Sequence, residues 1–434
     1  MQSRSCRNST RPRLIALLGI LNLLPGPASK ADAVTDWNAH LEEAVFATAQ
    51  PVPAQPRSAA IVHLAIFDAV NGIVKRYQPY HVTENPPRGA NPEAAAIQAA
   101  YTTLRALFPT QRDALDSHLE SALAALPGSR GKSASIRRGR AWGEHVAHQI
   151  LALRSTDGWS EPQPPFSGGF NVGQWRSIAT GSAADGALPA VFPQFAVLTP
   201  FAMRDPGHFR PGPPYGALIP EALRTEAYAA DFNEVKTIGR ADSTVRTPEQ
   251  SEIALLWQAM GPVDENRAAR SVLSSRRNLV DNARLFALLN MVACDALIIG
   301  WDSKFTYQLW RPHHAIRHAD TDDNPDTVAD PNWSGLILAP RFPEYVSNHS
   351  TLTGAMMRVL ARELGDEHHF TLESPLKPGF VQTYARFSDA AAQAREARIW
   401  GGIHFRHACD VGNQLGVELA DHTVDHWLRP RCKR

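Results

Sequence analysis

The stretch "LVDNARLFALLNMVACDALIIGW", Leu279 to Trp301, decides the fold of this chain. Its apolar residues follow helical spacing but occupy nearly every face, so the helix has no solvated side and belongs in a protein interior. No segment beyond the N-terminal region runs for about 18 uncharged apolar residues, which a membrane span needs. We therefore expect a buried core helix, and no stable membrane span once the N-terminal segment is removed.

Helical periodicity dominates on both sides of this helix, and convincing alternating strands are absent. The sequence "DEHHF" at 366–370 is expected to be a solvated helix end. The chain is thus predicted to be all-α, with two helical bundles. The further helices are expected at residues 57–73, 91–108, 110–126, 132–154, 220–238, 247–260, 347–365 and 389–427.

A proline-rich stretch separates the two sets of helices. Eleven of the 33 prolines lie between Pro162 and Pro220, interleaved with aromatic residues and glycines. So many aromatic residues are atypical of a disordered linker, so a long ordered connection is expected. The predicted organisation is an N-terminal signal at 1–33, a helical bundle with its connection at 34–240, and a catalytic helical domain at 241–434.

The charge balance excludes several classes of partner. The 434 residues include 44 Lys and Arg against 43 Asp and Glu, for a net charge of +1. This near-neutral chain has no global attraction to nucleic acid or to anionic lipid. Any anion-binding site must therefore be a local cluster of cations.

The N-terminus has the pattern of an export signal. A basic segment precedes an apolar run of 11 residues, Leu14 to Leu24. Ala-Asp-Ala at 31–33 suits cleavage before Val34, and the alternative is a retained anchor. The mature protein is expected to be periplasmic or secreted.

The cysteines suit such an oxidising compartment. Cleavage would remove Cys6 and leave Cys294, Cys409 and Cys432. Cys294 lies in the apolar helix and is expected in the core. One disulfide is permitted, and Cys409–Cys432 is the pair closest in sequence.

Two stretches of the second half place polar groups in apolar settings. Lys304 and Arg311 are seven residues apart, which puts both on one face of a helix that Pro312 would end or bend. In "VSNHSTLTGAMM", Ser347 is a good N-cap residue and His349 falls in the first helical turn. A helix N-terminus can bind an anion, although an N-cap alone needs no function.

A third stretch, "EARIWGGIHFRHACD", adds Arg398 and His404. They are six residues apart, and Gly401-Gly402 would allow a bend that brings both to one point. Three cations with backbone donors suit a tetrahedral oxyanion. One histidine could bond to the central atom and the other could move protons, as in phosphoryl transfer or in the holding of vanadate.

The order of these three blocks resembles a known superfamily, which contains the vanadium-dependent haloperoxidases, the acid phosphatases and the lipid-phosphate phosphatases. Its pattern is K-x6-R-P, then P-S-G-H, then S-R-x5-H. Lys304-x6-Arg311-Pro312 matches the first block fully, "VSNH" matches the second in part, and "ARIWGGIH" matches the third in part. Segments outside the blocks, such as "VHLAIFDAVNGI", are similar to secreted bacterial members of the haloperoxidase type.

The resemblance implies a role for each matching residue. His404 would be the axial ligand of vanadium, or the phosphorylated nucleophile of a phosphatase. His349 would be the acid–base group, and Lys304 would also polarise bound peroxide. The oxyanion, vanadate or a phosphate in the same site, would be held by Lys304, Arg311, Arg398, the Ser347 hydroxyl and the backbone N–H of Asn348.

Several positions depart from the pattern. Val346 replaces the usual proline, Asn348 the glycine and Ala397 the serine. Ala408 occupies the position where an aspartate often follows the nucleophilic histidine, and Asp410 is two positions too late to replace it. A backbone carbonyl is therefore expected to set the tautomer of His404.

Three functions are compatible with these residues. The first is an exported vanadate-dependent haloperoxidase-like enzyme, acting on peroxide and halide. The second is a phosphomonoesterase acting through a phospho-histidine, and the third is a binding protein with a decayed pocket. The presence of the six polar side chains Lys304, Arg311, Ser347, His349, Arg398 and His404 argues against decay. The halide and the oligomeric state are left open.

Overall fold

The computed structural model describes residues 32–127, 134–179, 184–273 and 277–431. The export segment up to residue 31, Cys6 and Cys432 lie outside these residues, so the signal and the Cys409–Cys432 pairing stay predictions. Cys294 and Cys409 are both buried. Asp32 caps the first helix by accepting from the N–H groups of Val34 and Thr35, so cleavage before Val34 would remove that cap.

The described residues form thirteen α-helices and one two-stranded hairpin. The helices are α1 Ala33–Ala47, α2 Gln55–Val74, α3 Pro92–Leu107, α4 Arg112–Ala125, α5 Ala134–Leu153, α6 Glu226–Ile238, α7 Pro248–Ala259, α8 Pro262–Ser271, α9 Leu279–Tyr307, α10 Pro312–Arg317, α11 Asn348–Leu364, α12 Phe387–Trp400 and α13 Arg406–His426. The strands are β1 Glu367–Glu373 and β2 Val381–Arg386, which pair antiparallel.

The helices pack as two groups around a shared core. In the N-terminal group α2, α3 and α5 contact one another, and in the C-terminal group α11 packs against α9, α12 and α13. The two groups meet where α2 lies against α9, and α9 is buried from Asn282 to Lys304. The expectations of an all-α protein with two bundles and a buried core helix are confirmed.

Two described segments are long and apolar enough to cross a membrane by length and composition alone. They are Val52–Val74, whose most apolar window is 83% buried, and Leu279–Tyr307, whose window is 100% buried. The core helices of soluble proteins pass the same test. Both segments lie inside this fold.

The structure corrects three boundaries. Residues 366–370 are not a helix end, because β1 begins at Glu367. The long C-terminal helix is two helices, α12 and α13, separated at Gly401-Gly402. Helix α9 ends at Tyr307, because Gln308 adopts a left-handed conformation with φ 53°.

The described part of the proline-rich connection is ordered against α9. The buried carboxylate of Asp295 accepts hydrogen bonds from the N–H groups of Phe201, Ala202 and Met203 at 2.7, 2.7 and 3.2 Å. Arg154, which follows the last residue of α5, donates to the carbonyl of Thr199 at 2.6 Å. These contacts satisfy backbone groups that a segment without regular structure would otherwise leave unpaired.

Close packing of α11 on α13 brings the two helix starts together. A Cβ atom on Gly416 would lie 2.3 Å from the Thr351 carbonyl oxygen, and one on Gly412 would lie 2.9 Å from that of Ser347. Only glycine permits this approach of the two backbones. The N–H of Ser347 can then donate to the Ala408 carbonyl at 3.0 Å.

Candidate active site

Four segments converge at these helix starts, and they carry all the residues singled out in the sequence. Lys304 lies in the last turn of α9, and Arg311 is the N-cap residue of α10. The expectation that Lys304 and Arg311 share one helical face is wrong, since α9 has already ended and Arg311 is extended at φ −80°, ψ 157°. Pro312 opens α10 instead of ending α9, because its fixed φ suits the first position of a helix.

His404, in the turn between α12 and α13, is held by a carboxylate. Its Nδ1 lies 2.8 Å from Oε1 of Glu344, and the N–H of Phe405 donates to the same oxygen at 3.0 Å. The expectation that a backbone carbonyl sets the tautomer is therefore wrong. When His404 Nδ1–H donates to Glu344, Nε2 carries no proton. Its lone pair then accepts a hydrogen bond from Arg311 at 2.9 Å.

Sequence reasoning missed Glu344. Its signal was an acidic residue three positions before Ser347 in an otherwise apolar stretch, and it is fully buried. Burial raises the pKa of Glu344 to about 7, against the opposing charges of Arg311 and Lys304. A buried carboxyl in this position needs partners, and His404 and Phe405 supply them.

Two arginines reach the site with one donor group each left free. Arg311 donates through Nε to Phe342 O at 2.9 Å and through Nη1 to Ile403 O at 2.8 Å, while its Nη2 has no partner among the described residues. Arg398 uses Nη1 and Nη2, and its Nε has none. Burial lowers the pKa of Arg311 to about 9 and that of Arg398 to about 10, values that keep both charged at neutral pH.

Lys304 is fully buried beside them. Its Nζ donates to the carbonyl of Glu344 at 2.9 Å and also to that of Val346. An ammonium has three donors, so one remains for a ligand. Burial, and then the charge of Arg311, hold the pKa of Lys304 well below its ordinary value. The centroid of the Phe342 ring lies 5.4 Å from Lys304 Nζ, so this ring forms a wall of the site.

The start of α11 supplies further donors. Ser347 is the N-cap residue as expected, and its hydroxyl oxygen accepts from the N–H and the hydroxyl of Ser350 at 3.4 and 3.0 Å. The first N–H groups of a helix have no intrahelical acceptor, which leaves those of Asn348 and His349 for a bound anion.

His349 faces the site with a free nitrogen. Its ring bonds to the carbonyl of Met260, and since Nε2 has no partner among the described residues, Nδ1 makes that bond. Burial, then the charge of Arg398, hold the pKa of His349 well below its ordinary value. A neutral imidazole of this tautomer can accept a proton at Nε2.

The side chain of Asn348, which replaces a glycine of the pattern, turns toward α9. A Cβ atom on Gly300 would lie 2.0 Å from Oδ1 of Asn348, and neither polar atom of this amide has a partner among the described residues. Glycine at position 300 thus makes room for asparagine at position 348.

The Gly300→Ala substitution is therefore expected to destabilise the protein by about 1 to 3 kcal/mol through overpacking. Asn348→Gly in the same chain should recover most of that loss, because it removes the clashing amide. Chemical unfolding of the two single variants and the double variant measures the coupling. Strictly additive effects of the two substitutions would contradict the packing described.

A mostly apolar pocket opens beside His349. Its walls come from α7, α8, α9 and α11, and Glu265 of α8 lines it together with His349 and Thr353. Glu265 is 2% exposed, its Oε1 lies 2.6 Å from the Thr353 hydroxyl, and its Oε2 has no partner among the described residues. Burial raises the pKa of Glu265 to about 8.

This shift predicts a pH dependence of stability. The pKa of Glu265 is higher in the folded state than the ordinary 4.5 of an unfolded chain, so its contribution is complete below pH 4.5 and is lost as the pH rises toward 8. Relative to Glu265→Gln, the free energy of unfolding of the wild type should fall by roughly 3 to 5 kcal/mol as the pH rises from 4.5 to 8. Unfolding of both proteins at pH 4.5 and 8.5 checks this. An unchanged difference between them would show that Glu265 titrates normally.

Comparisons with known proteins give consistent matches. Residues 284–431 match the family model described as the VCPO second helical-bundle domain. The chain is 30% identical over 181 residues to a vanadium chloroperoxidase of Curvularia inaequalis, an alignment that covers 36% of this chain and 29% of that protein. The matched region thus spans less than a third of that relative.

Solved structures share the fold over most of the chain. A bacterial vanadium-dependent iodoperoxidase matches with a TM-score of 0.77 and 22% identity, covering 92% of this chain and 97% of that one. A bacterial vanadium-dependent chloroperoxidase, in its apo form, matches with a TM-score of 0.66 and 18% identity, covering 86% and 92%. At these identities the likeness concerns the fold.

Proposed function

We propose that the protein is a vanadate-dependent haloperoxidase that oxidises halide with hydrogen peroxide. The match of residues 284–431 to the model of the VCPO second helical-bundle domain supports this proposal. One observation carries this proposal. His404 keeps its Nε2 lone pair among buried cations, where Arg311 donates to it, while Glu344 fixes its other nitrogen. A neutral imidazole nitrogen of this kind is a metal ligand.

The donor set fits vanadate. Unpartnered N–H groups of Arg311 and Arg398, the third proton of Lys304 and the first N–H groups of α11 are hard donors suited to anionic oxygens. Three buried cations match an oxyanion that carries two or three negative charges. Without such an anion, the cations lie together at an electrostatic cost, which binding would relieve.

The residues that would hold vanadate are therefore His404 at the metal and Lys304, Arg311, Arg398, Ser347 and the Asn348 N–H at its oxygens. When bound, vanadate supplies a Lewis acid that activates hydrogen peroxide toward two-electron oxidation of a halide. Arg311 now covers Nε2 of His404 at 2.9 Å, so the arginine must transfer this hydrogen bond to an oxygen of the ligand.

His349 is the proton carrier of this proposal. His349 lines the apolar pocket, its Nε2 has no partner among the described residues, and its Nδ1 is fixed by Met260. The same cations that lower its pKa are neutralised when an anion binds, so its basicity rises with the ligand in place. It can then take a proton from hydrogen peroxide and return it to the departing oxygen.

The test is an activity assay on the purified protein. Bromination of monochlorodimedone is followed with peroxide and bromide, with and without added vanadate. In parallel, hydrolysis of p-nitrophenyl phosphate is measured on vanadate-free protein. The proposal expects bromination that depends on vanadate. Phosphate release without bromination would overturn it and make His404 a phosphoryl carrier, since the same cluster of donors suits phosphate.

A further inference from the structure

The pocket beside His349 has polar atoms that the proposed reaction does not use. Glu265 is almost fully buried and lines the pocket, and its Oε2 has no partner among the described residues. Thr353, which holds the other carboxyl oxygen, lies four residues after His349 and therefore on the same face of α11, about one helical turn away. Glu265 and His349 thus line one space, and each has a polar atom without a partner among the described residues.

Apart from Asn348, the remaining walls of the pocket are apolar. Trp257 and Trp301 line the pocket but direct their indole N–H groups elsewhere, to Gln393 at 3.0 Å and to Val191 O at 3.2 Å. The two rings therefore offer only apolar surface to the pocket. The other apolar walls are formed by Val52, Pro53, Met260, Pro262, Leu297, Phe342 and Leu352.

The size of the pocket limits what it can hold. It leaves about 60 Å³ free for water, which is room for roughly four to six molecules. A single six-membered ring occupies a comparable space. An anion would lose its hydration against these apolar walls, and Glu265, neutral at pH 7 because burial raises its pKa to about 8, offers a hydrogen bond rather than a charge.

We propose that this pocket binds one small, uncharged aromatic molecule with a hydroxyl group, of the size of phenol, whose hydroxyl pairs with Glu265. The molecule is the acceptor of oxidised halogen, a role that rests on the proposed function. Its ring lies beside His349, next to the site where halide would be oxidised.

The transfer balances with the products of that reaction. Peroxide and halide give a hypohalous acid, HOX. An aromatic carbon forms the C–X bond as the O–X bond breaks, and the electron pair of the O–X bond stays on oxygen. The proton lost from that carbon joins the hydroxide to give water, so the net change is ArH + HOX → ArX + H₂O.

Binding is tested first without catalysis. Vanadate-free full-length protein is titrated with phenol and with toluene, which lacks the hydroxyl. The wild type is expected to prefer phenol about fivefold, the effect of one hydrogen bond. Glu265→Leu should abolish the preference and keep toluene binding. No binding of phenol, or a preference that survives in Glu265→Leu, overturns the proposal.

A substitution that fills the pocket with a larger side chain provides the second test of binding. Leu352→Trp should weaken binding of both molecules at least tenfold, while Leu376→Trp, at a side chain that is 67% exposed in the hairpin, should leave binding unchanged. Equal binding by the wild type and Leu352→Trp places the ligand elsewhere and overturns the proposal. If Leu352→Trp does not fold, the phenol–toluene comparison in Glu265→Leu decides alone.

Halogen transfer is tested by competition. Phenol and monochlorodimedone are offered together with vanadate, peroxide and bromide, and their bromination ratio is compared with that given by free hypobromous acid. A ratio shifted toward bromophenol supports the proposal, and the ratio of the free reagent overturns the acceptor role. The titrations use no vanadate, peroxide or halide, so their outcome is distinguishable from a failure of the proposed function.

Discussion

His404→Ala is expected to reduce vanadate-dependent bromide oxidation by about a thousandfold or more, as removal of a group central to a catalytic unit commonly does. The substitution removes the imidazole that Glu344 orients and whose Nε2 would bind the metal beside Arg311. The steady-state rate of monochlorodimedone bromination at saturating vanadate measures the loss.

His407→Ala is the matched control. His407 lies three positions later, and its Nε2 accepts from the N–H of Tyr215 at 3.1 Å, away from the cation cluster. Its ring stacks on Tyr215 and Tyr345 at centroid distances of 4.6 and 5.6 Å, so it serves packing. An equal loss of activity in the two variants, with folding intact, would contradict a specific role for His404.

Glu344→Ala is expected to weaken vanadate affinity by about 10- to 100-fold, the usual effect of removing the partner that orients a metal-ligating histidine. Without the carboxylate, the Nδ1 proton of His404 loses its acceptor and the ring is free to adopt the other tautomer. Bromination rates measured over a range of vanadate concentrations give the affinity.

Glu344→Gln separates positioning from packing. Its amide oxygen can still accept from His404 Nδ1 and from the N–H of Phe405, so affinity should return to within a few-fold of the wild type. Near-ultraviolet circular dichroism checks that both variants fold. Full affinity in Glu344→Ala would show that another group orients the imidazole.

The fold could be predicted largely because helix signals are local. The apolar pattern at 279–301, the Asn91-Pro92 cap and the Ser347 cap each depend on a few neighbouring residues. The end of α9 could not be predicted from the sequence, because Gln308 takes a left-handed conformation that is usually adopted by glycine or asparagine. The hairpin was missed because Phe370 and Leu372 are the only buried residues of β1, too few for a visible alternation.

In the site, too, features set by neighbouring residues could be predicted, and those set by tertiary contacts could not. The spacing of Lys304 and Arg311 was read correctly as a shared site but wrongly as a shared helix, since a break between them still lets both side chains reach one point. Glu344 was missed because its partner His404 lies 60 residues away, and no local spacing rule connects them. Likewise, the space for Asn348 depends on Gly300 of another helix, a contact that only the tertiary structure brings about.

Isothermal titration calorimetry of the vanadate-free protein with orthovanadate tests the central claim most directly. The titration is repeated in the presence of phosphate. The buried cluster of Lys304, Arg311, Arg398 and His404 predicts binding of one vanadate per chain, weakened by phosphate in proportion to its concentration. No binding at millimolar vanadate, or binding that phosphate leaves unchanged, would contradict an oxyanion site at this cluster.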